Sequence, residues 1–187
     1  AEPYTWAMAT LKNEEATCLG SRAMLRDIMP IWISALILLI TPMTFAAFWQ
    51  PASSVRGVDI PNFHRVQTKA GVLYRSAQPS GLEYQAHQQG VTHVLILKNE
   101  NWNEVQTELS QWAALGYGYS QVLHIPFHWN DSSEQKACEQ MIQALTFARS
   151  ALSSPNHQLY VHCTAGEDRT GVFVGILRML VDTRFIH

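Results

Sequence analysis

The run HCTAGEDRTG, residues 162–171, holds the side chains of this sequence whose types and spacing best fit chemistry. Five residues separate Cys163 from Arg169, Gly166 lies between them, and Thr170 and Gly171 lead into the apolar stretch VFVGILRML. The preceding QLYVHC reads as a short buried strand, so the run joins a strand end to a helix start. Backbone N–H groups there lack intrahelical partners and converge on one spot. An anion at that spot meets the positive end of the helix dipole, roughly half an elementary charge. The same field favours a thiolate over a thiol, which makes Cys163 a candidate nucleophile. Thr164, Ala165, Gly166, Glu167, Asp168 and Arg169 would line a phosphate cradle. Arg169 would grip two oxygens with a planar fork that Lys lacks, and Thr170 would donate a hydrogen bond to the sulfur.

His162, Cys163, Gly166, Arg169, Thr170 and Gly171 match, position by position, the pattern His-Cys, five residues, Arg, Ser or Thr, Gly. At these residues the chain resembles the cysteine-dependent protein tyrosine phosphatase superfamily. NFHRV, GVLYRSAQPS and VTHVLIL are similar to the opening of its small bacterial dual-specificity-like branch. The resemblance spans residues 62–180. It implies hydrolysis of phosphate monoesters through a phosphocysteine, without metal or cofactor, with His162 fixing the loop and tuning the cysteine. It also implies a general acid after the strand ending HIPFH, where Asp131 stands. Asp131-Ser132-Ser133-Glu134 equally fits a helix N-cap with its capping-box partner. Asp168 is the rival acid, since some phosphoinositide-directed relatives place theirs inside the cradle; Glu134 and His128 are weaker candidates.

Glu167 and Asp168 put negative charge around a single cradle cation. A multiply phosphorylated inositol head would meet repulsion of about 1 kcal/mol for each close exposed pair. The expected partner is therefore a phosphorylated protein, phosphotyrosine first and dual specificity second, or a small phosphomonoester. Two further readings stay open: a catalytically impaired phosphate-binding remnant, and a thiol-based arsenate reductase or sulfurtransferase. Arsenate reduction would need resolving thiols beside Cys163.

The remaining composition excludes more than it suggests. The chain has 187 residues and a net charge of −2, with no Lys/Arg cluster of the kind that binds nucleic acid or an anionic membrane surface. Cys18, Cys138 and Cys163 are odd in number and widely spaced, which suggests neither a disulfide framework nor a zinc site. Cys138 is expected in the apolar face of a helix, and Arg75 and Gln78 in a structural role at a hairpin end.

The elements that must hold the cradle follow from periodicity. Residues 63–66 and 72–75 read as a hairpin, 82–89 as a short helix, 91–97 as a buried strand and 105–115 as an amphipathic helix. Residues 119–125 read as the next strand and 133–152 as a helix, with Cys138, Met141, Ile142, Leu145, Ala148 and Leu152 on one face. Residues 159–162 form the central strand, and one helix follows from 172 to about 182. This alternation predicts an α/β fold with a mainly parallel sheet flanked by helices, shortened at the C-terminus, with Cys163 at a carboxyl end of the sheet. VFVGILRML is apolar nearly all round and expects neighbours on every side.

Upstream, no charged residue occurs from 28 to 55, and 31–40 is almost unbroken apolar sequence behind Arg22 and Arg26. Thr44-Phe45-Ala46 fits a signal-peptidase site. The expected division is an extension at 1–23, a signal peptide or membrane anchor at 24–46, a linker at 47–61 and a phosphatase-like domain at 62–187. Either form of the apolar segment predicts export, with the domain periplasmic or membrane-anchored and facing outward.

Overall fold

Strand β4 (His93–Ile96) and strand β6 (Gln158–His162) alternate in a way that a sheet covered on both faces requires. Leu95, Leu97, Leu159 and Val161 point into one core, and Val94, Ile96 and Tyr160 into another on the opposite face. The computed structural model describes residues 53–127 and 134–182, with the backbone alone at Glu134. Among these, β1 (Ser53–Ser54), β2 (His64–Thr68), β3 (Gly71–Ser76), β4, β5 (Val122–His124) and β6 form one sheet in the order β1-β2-β3-β6-β4-β5. The β1/β2 and β2/β3 pairs are antiparallel; β3, β6, β4 and β5 run parallel. The expected α/β class with a mainly parallel sheet is the observed one.

Helices α1 (Glu83–Gln88) and α2 (Glu104–Ala114) cover the Tyr160 face through Ala86, Val105 and Trp112. Helices α3 (Glu134–Ala151) and α4 (Asp168–Asp182) cover the other. On α3 the fully buried positions are Ala144, Ala148 and Ala151, while the larger Met141 and Leu145 are only partly buried. Small residues let the helix axis approach the sheet, and the longer side chains splay to its flanks.

Three boundaries differ from the expected ones. Residues 53–61, read as linker, already belong to the fold: Ser53 and Ser54 pair with Arg65 and His64, and Ile60 is buried. Two polar serines carry no period-2 pattern, so the strand is specified by its partner. Helix α4 starts at Asp168, inside the signature, because Glu167 already accepts a hydrogen bond from the N–H of Gly171 at 2.6 Å. Strand β5 is shorter than 119–125, and Tyr119 stands in solvent. The segments 1–23 and 24–46, and Asp131 with His128, lie outside the described residues. Among the described residues no helix is long and apolar enough to cross a membrane. On α4, Phe173, Val174 and Leu177 are buried toward the sheet, while Val172 and Leu180 are exposed.

Register brings the cradle's supports together. Ser76 of β3, His162 of β6 and Ile96 of β4 are side-by-side partners at the carboxyl ends of their strands. The chain leaves β6 at Cys163 and enters α4 at Asp168, so the loop has only Cys163 to Glu167 in which to turn.

Candidate active site

The loop after β6 is shaped by what holds its carbonyl oxygens. The carbonyl of Thr164 accepts from the backbone N–H of Gln78 at 3.2 Å. That of Ala165 accepts from Nδ2 of Asn62 at 2.9 Å, and that of Gly166 from Nη2 of Arg75 at 2.5 Å. In a trans peptide the N–H points opposite to the preceding C=O. Three successive carbonyls drawn outward therefore turn the amides of Ala165, Gly166 and Glu167 the other way, into the bowl of the loop. Asn62 reaches its carbonyl from a left-handed backbone, φ 56°, a conformation that Asn tolerates better than most residues.

Gly166 is required twice over. Its φ is 75°, and a Cβ built there would overlap the backbone of Ser76 and Ala77. The loop thus lies directly against the end of β3, and no side chain fits between them.

Cys163 is 4% exposed and is the free cysteine among the described residues. Burial by itself pushes its thiol up. The Thr170 hydroxyl, the amides of Thr170 and Gly166 and the charge of Arg169 together outweigh that, and the thiol lies below its ordinary value. The Thr170 hydroxyl is buried and makes no hydrogen bond to any other group, which leaves its proton for the sulfur. Arg169, in the first turn of α4, is oriented by Nη1 donating to the carbonyl of Leu97 at 3.2 Å.

His162 is completely buried, with Nε2 2.6 Å from Oε1 of Glu108 on α2 and Nδ1 3.3 Å from the Cys163 carbonyl oxygen. Thr164, Ala165, Glu167 and Asp168 are exposed around the loop's mouth. Asp168 sits in the first turn of α4, where a carboxylate complements the helix dipole. Asp131 and His128, in the segment between β5 and α3, and the side chain of Glu134 fall outside the described residues.

The expected residues Cys163, Thr164, Ala165, Gly166, Glu167, Asp168, Arg169, Thr170 and His162 therefore form one strand–loop–helix unit. Arg75 and Gln78, expected at a hairpin end, hold that unit's carbonyls from behind. Gln78 also accepts from Lys98, which is itself paired with Glu104. Cys138, expected as an ordinary core thiol, is half-buried and disulfide-bonded.

Sequence reasoning missed Asn62 and Glu108. Asn62 gives no local signal, since its partner is remote in sequence. Glu108 could have been found, because it lies on the same helical face as Val105 and Trp112, where a carboxylate needs a buried partner.

The buried Cys163, its thiol held below the ordinary value, and Arg169 thus share one strand-to-helix loop at the end of the sheet's central parallel strand. The family model described as "Tyrosine phosphatase family" matches residues 58–183, and the chain belongs to that family and is a phosphatase by that membership. Among solved structures it is similar to TpbA of P. aeruginosa, at 24% identity over 68% of each chain with a TM-score of 0.45. No curated protein matches it.

Gly166→Ala should leave a folded protein with a spoiled cradle. A non-Gly residue at such a φ costs about 1–3 kcal/mol, and the overlap with Ser76 and Ala77 must be relieved by moving the loop. Inorganic phosphate, measured by calorimetry, should bind about tenfold more weakly or worse. Unchanged affinity would mean that the loop does not form the anion site.

Proposed function

We propose that the protein hydrolyses phosphate monoesters through a phosphocysteine on Cys163, with protein phosphotyrosine as the main substrate and dual specificity as the wider range. The observation that carries this reading is the buried Cys163 thiol, held below its ordinary value by the Thr170 hydroxyl, the amides of Thr170 and Gly166 and the charge of Arg169. Inward-turned amides and the Arg169 fork would take the phosphoryl oxygens. The thiolate attacks phosphorus, an S–P bond forms, the ester P–O bond breaks, and the leaving oxygen takes a proton from Asp131. Water then cleaves the S–P bond to release inorganic phosphate, and the departing thiolate is stabilised by Thr170. His162 holds the loop end. The acidic rim of Glu167 and Asp168 favours a singly phosphorylated group over a multiply phosphorylated one.

An arsenate reductase would need resolving thiols beside Cys163, which is the free cysteine among the described residues. A phosphate-binding remnant would bind the anion without turning over esters.

Cys163→Ser should abolish turnover of an aryl phosphate while phosphate binding survives, because the amides and Arg169 remain. Full activity in that variant would discard the nucleophile. Asp131→Asn should slow phosphotyrosine hydrolysis about a hundredfold or more, and affect an ester with a better leaving group much less. If Asp168→Asn gives that leaving-group dependence instead, the acid lies in the cradle. Asn caps a helix about as well as Asp, so an N-cap role for Asp131 forecasts no loss of rate.

From the apolar segment at 24–46 we also propose export, by signal peptide or by anchor. A reporter active only outside the cytosol, fused after residue 60, should give signal, and a protein cleaved after Ala46 should begin at Ala47. Signal from a cytosolic reporter alone would contradict export.

A further inference from the structure

Among the described residues, four other than glycine carry a left-handed φ: Asn62, Ser80, Trp102 and Asn103. All four lie at the cradle end of the sheet, Asn62 before β2, Ser80 after β3, and Trp102 and Asn103 between β4 and α2. Asn103 suits such a backbone, but for a side chain as bulky as that of Trp102 a φ of 52° is an outlier. Strain of this kind persists where the surroundings hold it, and it gathers at functional sites. Packing of the side chain does not account for it here, because Trp102 is 90% exposed.

The turn that presents the indole is braced, and braced against the cradle. Glu104 donates its N–H to the Asn101 carbonyl at 2.9 Å, which closes a turn with both central residues at positive φ. Glu100 Oε1 accepts from the backbone N–H groups of Asn101 and Val105 at 3.1 and 3.2 Å. Just upstream, the Leu97 carbonyl accepts from Arg169. Lys98 donates to Glu104 and to Gln78, whose own N–H holds the Thr164 carbonyl. Trp102 thus stands in a wall that continues from the cradle on its β4 side. Lys98 is buried, and the exposed charges of this wall and of the cradle loop are all carboxylates, Glu100, Glu104, Glu167 and Asp168.

We propose that Trp102 is a specificity residue that docks the polypeptide on either side of a phosphotyrosine. An apolar side chain of the substrate packs on the indole, and basic residues beside it complement the four carboxylates. Tryptophan offers a large apolar face with only two torsions to fix, which suits an anchor of this kind. A small aryl phosphate fills the cradle and extends no further, so only a protein substrate gains from Trp102. This rests on the reading of the protein as a phosphotyrosine phosphatase.

The test compares kcat/KM for a phosphotyrosine peptide with apolar and lysine neighbours against that for a small aryl phosphate. Trp102→Asn removes the indole and keeps a residue that accepts the left-handed backbone. It should melt no lower than the wild type and reduce the peptide-to-ester ratio about tenfold, with Trp102→Phe restoring part of it. An unchanged ratio, a loss shared equally by both substrates, a clearly lower melting temperature, or equal rates with glutamates in place of the lysines would overturn the proposal. Calorimetry on Cys163→Ser needs no turnover: adding Trp102→Asn should weaken the peptide and not inorganic phosphate, and equal weakening of both would overturn it. Should the wild type hydrolyse neither substrate, the phosphatase reading fails by itself, and the calorimetric arm still decides the role of Trp102.

Discussion

Gly166 rests on the backbone of Ser76 and Ala77, with its own carbonyl held by Arg75 and its neighbours' carbonyls held by Asn62 and Gln78. This contact between a loop and the end of a strand decides what the loop can do. With the carbonyls occupied behind it, the loop presents amides in front, and the Gly166 amide acts on Cys163 together with the Thr170 amide of α4. A chain without this support would have the same residues and no reason to aim them. The parallel register that puts Ser76, His162 and Ile96 side by side is the larger frame for the same contact.

The burial of Cys163 creates a conflict that the site resolves by arrangement. A sulfur this well covered should be a neutral thiol, yet the hydroxyl of Thr170, two amides and Arg169 tip it toward the anion. Covering the sulfur removes water that would otherwise weaken each of those interactions. One layer inward, Glu108 and His162 are buried within hydrogen-bond distance of each other, next to the cysteine's backbone.

Much of this was legible in the sequence. Alternation in VTHVLIL and QLYVH marks strands buried on both faces, and the spacing of Cys163, Gly166, Arg169 and Thr170 marks the junction where β6 passes through a short loop into α4. Asn62, Arg75 and Gln78 were illegible as supports, because their partners lie far away in sequence and are set by tertiary register. Helix α4 began earlier than its apolar run, since the first turn is specified by the cradle and not by periodicity. On α3 the apolar spacing was right, but it was alanines that met the sheet, a choice made by axis distance rather than hydrophobicity. Ser53 and Ser54 have no strand pattern at all and owe their pairing to β2.

The central claim is that Cys163 carries the phosphoryl group during turnover. Mixing the protein with an excess of a fast aryl phosphate, quenching in acid within one turnover and mapping the peptides by mass tests it directly. The account predicts a phosphoryl group on the peptide bearing Cys163, absent from Cys163→Ser. Turnover with Cys163 never modified, or with the phosphoryl group on another side chain, would contradict it.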